Sequence, residues 1–166
     1  MPKKGFLIVI AVLFLAVGIF ISMRRSHMMS ADSQVVAGGL VAVSKDGSPV
    51  SVPTGSGALP ENTAIQQAGG LLVSLSISPY PPSAGQSSQF GVKVTDTAGQ
   101  PVSDAAISLD LTMPSMWMPP NQLTMEPISN GDYQAAGRFT MRGMWRIEVI
   151  IMRGTEKTSA FFDVGL

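Results

Sequence analysis

From Leu71 onward the chain is a succession of short runs in which apolar and polar residues alternate, each closed by turn-forming residues. Leu71-Leu72-Val73-Ser74-Leu75-Ser76-Ile77-Ser78 sets Leu71, Val73, Leu75 and Ile77 on one face of an extended segment, because successive side chains of a strand point to opposite sides. Pro79 ends that run. Phe90, Val92 and Val94 repeat the pattern, Asp96–Val102 supplies a turn through Gly99 and Pro101, and Ala106–Met113 aligns Ile107, Leu109 and Leu111. After a proline-rich loop, further strands are expected at Leu123–Met125, Tyr133–Met141, Trp145–Met152 and Ser159–Val164, with Asn130-Gly131-Asp132 as a turn. About seven strands in about ninety-five residues predict an all-β protein, an immunoglobulin-like β-sandwich. No long helical period follows residue 22.

Upstream the pattern is different. Gly5–Ile21 carries no charge and no strong polar group, and as a helix it spans about 25–28 Å, near the thin limit for a bilayer core. A short apolar run behind Lys3 and Lys4 is also the form of a cleaved signal peptide. The absence of a good small-residue cleavage site and the Arg24-Arg25 pair favour an N-terminal transmembrane anchor, with the body outside the cytoplasm under the positive-inside rule. Ser44–Thr63, rich in glycine, proline and serine, reads as a tether or surface wrap, and Val35–Val43 has the composition of a short strand. The expected organisation is therefore an anchor over residues 1–25, a linker with one possible strand over 26–70, and a sandwich domain over 71–166.

Composition narrows the chemistry. The chain has no cysteine and one histidine, so disulfides, thiolate metal sites and cysteine nucleophiles are excluded, and a histidine-based hydrolase is disfavoured. Eleven basic residues balance eleven acidic ones, but Lys3, Lys4, Arg24 and Arg25 flank the apolar run, leaving the body with seven basic against eleven acidic groups. A mildly acidic body without a cationic stripe argues against nucleic acid as a partner. Asp110, Glu126 and Asp132 fall at no spacing suited to a metal or an acid–base pair, and no cofactor fingerprint is present, so no enzymatic activity is expected.

The unusual feature is methionine. Six of the eleven lie between Met113 and Met144, beginning with Met113-Pro114-Ser115-Met116-Trp117-Met118-Pro119-Pro120. Prolines favour an extended backbone there, which places Met116 and Met118 on one side with Cα atoms about 6.5 Å apart and Trp117 on the other. Thioether sulfur is soft and uncharged, so such a pair suits Cu(I) over calcium, magnesium or zinc, and Trp117 or Trp145 is a candidate shield for the ion. Met113, Met125 and Met144 are candidates to complete the site. A second cluster, Ser26-His27-Met28-Met29, sets the one imidazole beside two methionines, although a solvated position next to the membrane is the simpler reading of His27. Packing is the competing role for the loop methionines, since methionine fills irregular cores, and a partner interface is a third.

The order of Asp96-x-x-Gly99-x-Pro101-Val102, Met113-Pro114-x-Met116-x-Met118, Gly131-x-Tyr133 and Phe139-x-Met141-x-Gly143-x-Trp145 resembles the YtkA-like domain, related to FixH proteins, over about residues 71–164. The resemblance implies an extracytoplasmic β-sandwich linked to copper handling and to assembly of haem-copper oxidases, and no enzyme. Met113, Met116 and Met118 match the family's methionine motif, while Gly131 and Gly143 match its turn glycines and Tyr133 and Trp145 its core aromatics. The expected function is a membrane-anchored accessory protein that binds Cu(I) and passes it to a copper-receiving protein. The alternative is a non-catalytic structural subunit of a larger membrane complex, docking through its helix and sandwich.

Overall fold

The computed structural model describes residues 39–50 and 59–166. The Gly5–Ile21 run and the Ser26–Met29 cluster lie outside the described residues. Among the described residues no helix is long and apolar enough to cross a membrane. Residues Val36–Leu166 group as one compact unit.

The described residues form ten strands: β1 (Val41–Val43), β2 (Thr63–Ala68), β3 (Leu71–Ser78), β4 (Ser87–Asp96), β5 (Ala106–Thr112), β6 (Gln122–Thr124), β7 (Glu126–Ser129), β8 (Asp132–Arg138), β9 (Met144–Arg153) and β10 (Glu156–Gly165). They assemble into two five-stranded antiparallel sheets, ordered β1-β10-β9-β5-β6 and β2-β3-β4-β8-β7. The inward positions are those the alternation marks: Leu71, Val73, Leu75 and Ile77 on β3, Phe90, Val92 and Val94 on β4, and Ile107, Leu109 and Leu111 on β5 are all buried. Trp145, Ile147, Val149 and Ile151 face the same core from β9, and Ala160, Phe162 and Val164 from β10. Each of the larger of these side chains gives roughly 1.5–3 kcal/mol on burial, so this interdigitated layer is the main source of cohesion.

Ten strands rather than about seven reflects three short or polar ones. β1 and β2 both lie within the 26–70 stretch read as linker. β2 pairs with β3 from Thr63 opposite Ser76 to Ala68 opposite Leu71. Its central Gln66 is buried, and its side-chain amide donates to the Val43 carbonyl at 2.9 Å and accepts from the Phe161 amide at 2.5 Å. One side chain of the second sheet thus stitches β1 and β10 of the first, meeting the rule that a buried polar group needs partners. At the opposite edge the segment Gln122–Ser129 changes sheets: β6 pairs with β5, β7 with β8, and Met125 between them hydrogen-bonds through its amide to Ile107 and buries its side chain.

Two connections hold the layers in register. The Tyr133 hydroxyl donates to the Val102 carbonyl at 3.0 Å, tying β8 to the chain between β4 and β5. Arg146 on β9 makes a two-pronged bond to Asp163 on β10, both at 2.8 Å, and donates to the Lys45 carbonyl. The Asp163 carboxylate is the chief reason the Arg146 guanidinium holds its proton above its ordinary value, with partial burial opposing. Arg146 therefore clasps the Ser44–Pro49 turn to the sheet; within that turn Asp46 accepts from Ser44 and Ser48.

Candidate functional site

The strand order brings four connections to one end of the sandwich. β5 runs out into the Met113–Asn121 loop, its neighbour β9 begins at Met144, and β8 reaches β9 through Phe139–Gly143. Because Ser87 pairs with Arg138 and Ser78 with Gln89, the Pro79–Gln86 loop, with cis peptide bonds at Ser78-Pro79 and Tyr80-Pro81, opens at the same end. β1 begins opposite Asp163, so the chain also enters the sheet from the Gly165–Leu166 side.

The methionine loop is not extended throughout. The Met116 amide donates to the Met113 carbonyl at 3.2 Å, a turn with Pro114 at its second position, where the ring presets the backbone. The Leu111 amide donates to the Asn121 carbonyl at 3.0 Å and closes the base of the loop. Met116 and Trp117 both stand in solvent, 48% and 89% exposed, while Met118 leans on the core. The expected split of Met116 and Met118 against Trp117 is therefore replaced by Met116 and Trp117 outward and Met118 inward, because the Pro114 turn breaks the two-residue period.

The remaining candidates divide by strand parity. Met113 continues the inward series of Ile107, Leu109 and Leu111 and is 7% exposed. Its methyl carbon lies 2.8 Å from where a side chain on Gly143 would begin, and Gly143 has φ +132, a conformation suited to glycine. Met144, next to the inward Trp145, faces out at 51% exposure. Met141, also exposed, receives on its carbonyl the Trp145 indole hydrogen bond at 3.0 Å. Met113, Met116, Met118, Met141 and Met144 thus share one end of the domain. Met125 does not join them: it is buried at 4% beside Ile107, in the half of β5 remote from the loop.

Beneath this end lies an aromatic column. Phe139 meets Phe90 and Trp145 edge-on, with centroids 5.5 and 5.4 Å apart. The Gly143 and Leu166 backbones exchange hydrogen bonds at 3.3 and 3.1 Å, which fixes the 139–144 turn to the end of β10. Trp145 is wholly buried and belongs to this floor, so Trp117 is the exposed tryptophan of the site. Sequence reasoning missed Met141 as a candidate, together with the exposed Arg138 and Arg142 beside it, because only the β5–β9 register brings the two loops together.

The chemistry on offer is soft. Among the described residues no three His, Asp or Glu side chains converge on a possible ion. The candidate donors here are neutral thioethers above an aromatic floor, a set that fits Cu(I) and no hard cation.

The elements described above, from β2 through most of β9, coincide with a family match. The YtkA-like family matches residues 65–150, just over half of the chain. Neither the curated proteins nor the solved structures provide a match. Gly131 and Gly143 at positive φ, with Tyr133 and Trp145 buried beside them, occupy the turn and core positions that the sequence resemblance assigned to them. The chain belongs to the YtkA-like family.

Proposed function

We propose that this is a membrane-anchored, extracytoplasmic accessory protein that holds Cu(I) as cargo at the methionine-rich end of its sandwich. The observation that carries the reading is the gathering of Met113, Met116, Met118 and Met144 at one end, with no acidic side chain on the 113–121 and 138–145 segments. Met116 and Met144 are accessible donors, Met118 two residues on from Met116 is half-buried against the core, and the Met113 methyl packs beside Gly143. Met125 is left out of the ligand set because it is buried far along β5. A kinship to FixH proteins, with the Gly5–Ile21 run as anchor, fits a role in copper delivery to a haem-copper oxidase or another copper-receiving protein.

The test is an anaerobic Cu(I) titration of residues 36–166 against a competing chelator, beside Met116→Leu/Met118→Leu. Leucine keeps the apolar volume and removes the sulfur, so loss of binding with an unchanged melting temperature is the expected result. Equal Cu(I) affinity in the double variant overturns this ligand assignment.

The exposure of Trp117 favours a second reading, that of a non-catalytic structural subunit of a larger membrane complex, since tryptophan and methionine are enriched at contact surfaces. Retention of a membrane protein through mild detergent extraction of the full chain supports that reading, and its loss in Trp117→Ala ties the contact to this loop.

A further inference from the structure

The two ends of the sandwich differ in kind. The far end is made of tight, charged turns, with Asp96, Asp104, Asp132, Arg153 and Glu156 on or beside them. The loop end exposes Met116, Trp117, Met141 and Met144, and its 113–121 and 138–145 segments carry two charges, Arg138 and Arg142, both exposed and both positive; exposed Glu61 stands at the same end on the β2 edge of the second sheet.

We propose that this end docks on a lipid bilayer surface, with Trp117 as the inserted anchor. Three observations select lipid. A tryptophan 89% exposed on a loop stiffened by Pro114, Pro119 and Pro120 is costly in water and stable at the headgroup boundary, where an apolar ring and a polar N–H are both accommodated. Flanking arginines complement anionic headgroups while their stems lie along apolar surface. The chain enters the domain at this same end, and only residues 22–38 separate Gly39 from the Gly5–Ile21 apolar run. Even fully extended, those seventeen residues span at most about 60 Å, so, on the anchor reading proposed above, the domain stays within reach of the surface. Insertion uses the apolar surface of the loop and not its sulfur, so it stands apart from Cu(I) binding.

The sequence offers its own probe, because the chain has two tryptophans and Trp145 is fully buried. The full chain is reconstituted into vesicles of phosphatidylcholine and phosphatidylglycerol, with a copper chelator present, using acyl chains brominated near the headgroup. Docking is expected to shift the Trp117 emission to the blue and quench it, with quenching absent from Trp117→Phe and weakened in Arg138→Glu/Arg142→Glu. Met116→Leu/Met118→Leu keeps the apolar loop and is expected to quench like the parent even where it no longer binds Cu(I), which separates this proposal from the copper reading. Emission from Trp117 that stays red, unquenched by lipid and open to aqueous iodide overturns the proposal and leaves a protein partner as the occupant of this surface. Quenching that persists in Trp117→Phe also overturns it, since the signal would then come from Trp145.

Discussion

Tyr133→Phe isolates one hydrogen bond. The Tyr133 ring is buried against the core and its hydroxyl reaches the Val102 carbonyl at 3.0 Å, so phenylalanine retains the packing and removes only the donor. Val102 is itself buried, and its amide is already engaged with the Val94 carbonyl at 3.0 Å. Leaving its carbonyl without the phenol therefore costs about 1–2 kcal/mol, the usual value for a buried bond broken on one side. For a domain of this size that is a fall of roughly 3–8 °C in melting temperature. Tyr133→Ala also removes the ring and leaves a cavity, raising the loss to about 3–5 kcal/mol. Urea unfolding of residues 36–166, followed by the fluorescence of buried Trp145, measures both. The phenylalanine variant should shift the midpoint at constant slope, since the same surface is exposed on unfolding. A phenylalanine variant as stable as the parent would refute the claim that this bond fastens the β4–β5 connection to β8.

Other outcomes follow from the same structure. A fragment beginning at Leu71 loses β1, β2 and the Gln66 stitch, and bares the edges of β3 and β10. It should aggregate or melt well below residues 36–166 in a thermal scan, and an equal melting temperature would show those strands to be dispensable. Asp104 accepts two hydrogen bonds from the Arg153 guanidinium, at 3.1 and 2.9 Å, which hold its carboxyl below the usual 3.8. A depressed carboxyl pKa stabilises the fold fully above its unfolded value, and that contribution is lost as pH falls through the folded value. Asp104→Asn should accordingly match the parent in acid and flatten the fall in melting temperature below about pH 4 by the same small amount that it lowers the melting temperature at pH 7, the pair being exposed. An acid limb identical to the parent's would assign that slope to other carboxylates.

How much of this was legible in the sequence depends on what each strand buries. β3, β4, β5 and β9 put large apolar side chains at every second position, and their inward faces follow from period alone. β2 hides because its inward residues are Ala64 and Gln66, and the glutamine is buried only because strands distant in sequence supply its partners. β7 hides because Glu126, Pro127, Ile128 and Ser129 are all exposed and offer no alternation. For the candidate site, parity already carried part of the answer: Met113 extends the Ile107–Leu111 series inward, and Met144 is out of phase with Trp145. Met125 shares its parity with half-buried Leu123, which points it toward the core. What the sequence withheld was the pairing of β5 with β9, the contact that sets the 113–121 loop beside Met141, Arg142 and Met144.

The shortness of β1 has a mechanical consequence. The polypeptide joins the sandwich through three paired residues, Val41 to Val43, laid against a ten-residue β10 that is fully paired on its other side with β9. Tension applied through Gly39 is borne first by those three pairs, by the Gln66 amide on the Val43 carbonyl and by the Arg146 clasp on Lys45. The β9–β10 hairpin and the methionine end built on it lie behind that weak link. Under load the domain would pay out its first strand as slack before its load-free core, and the surface it carries, began to deform.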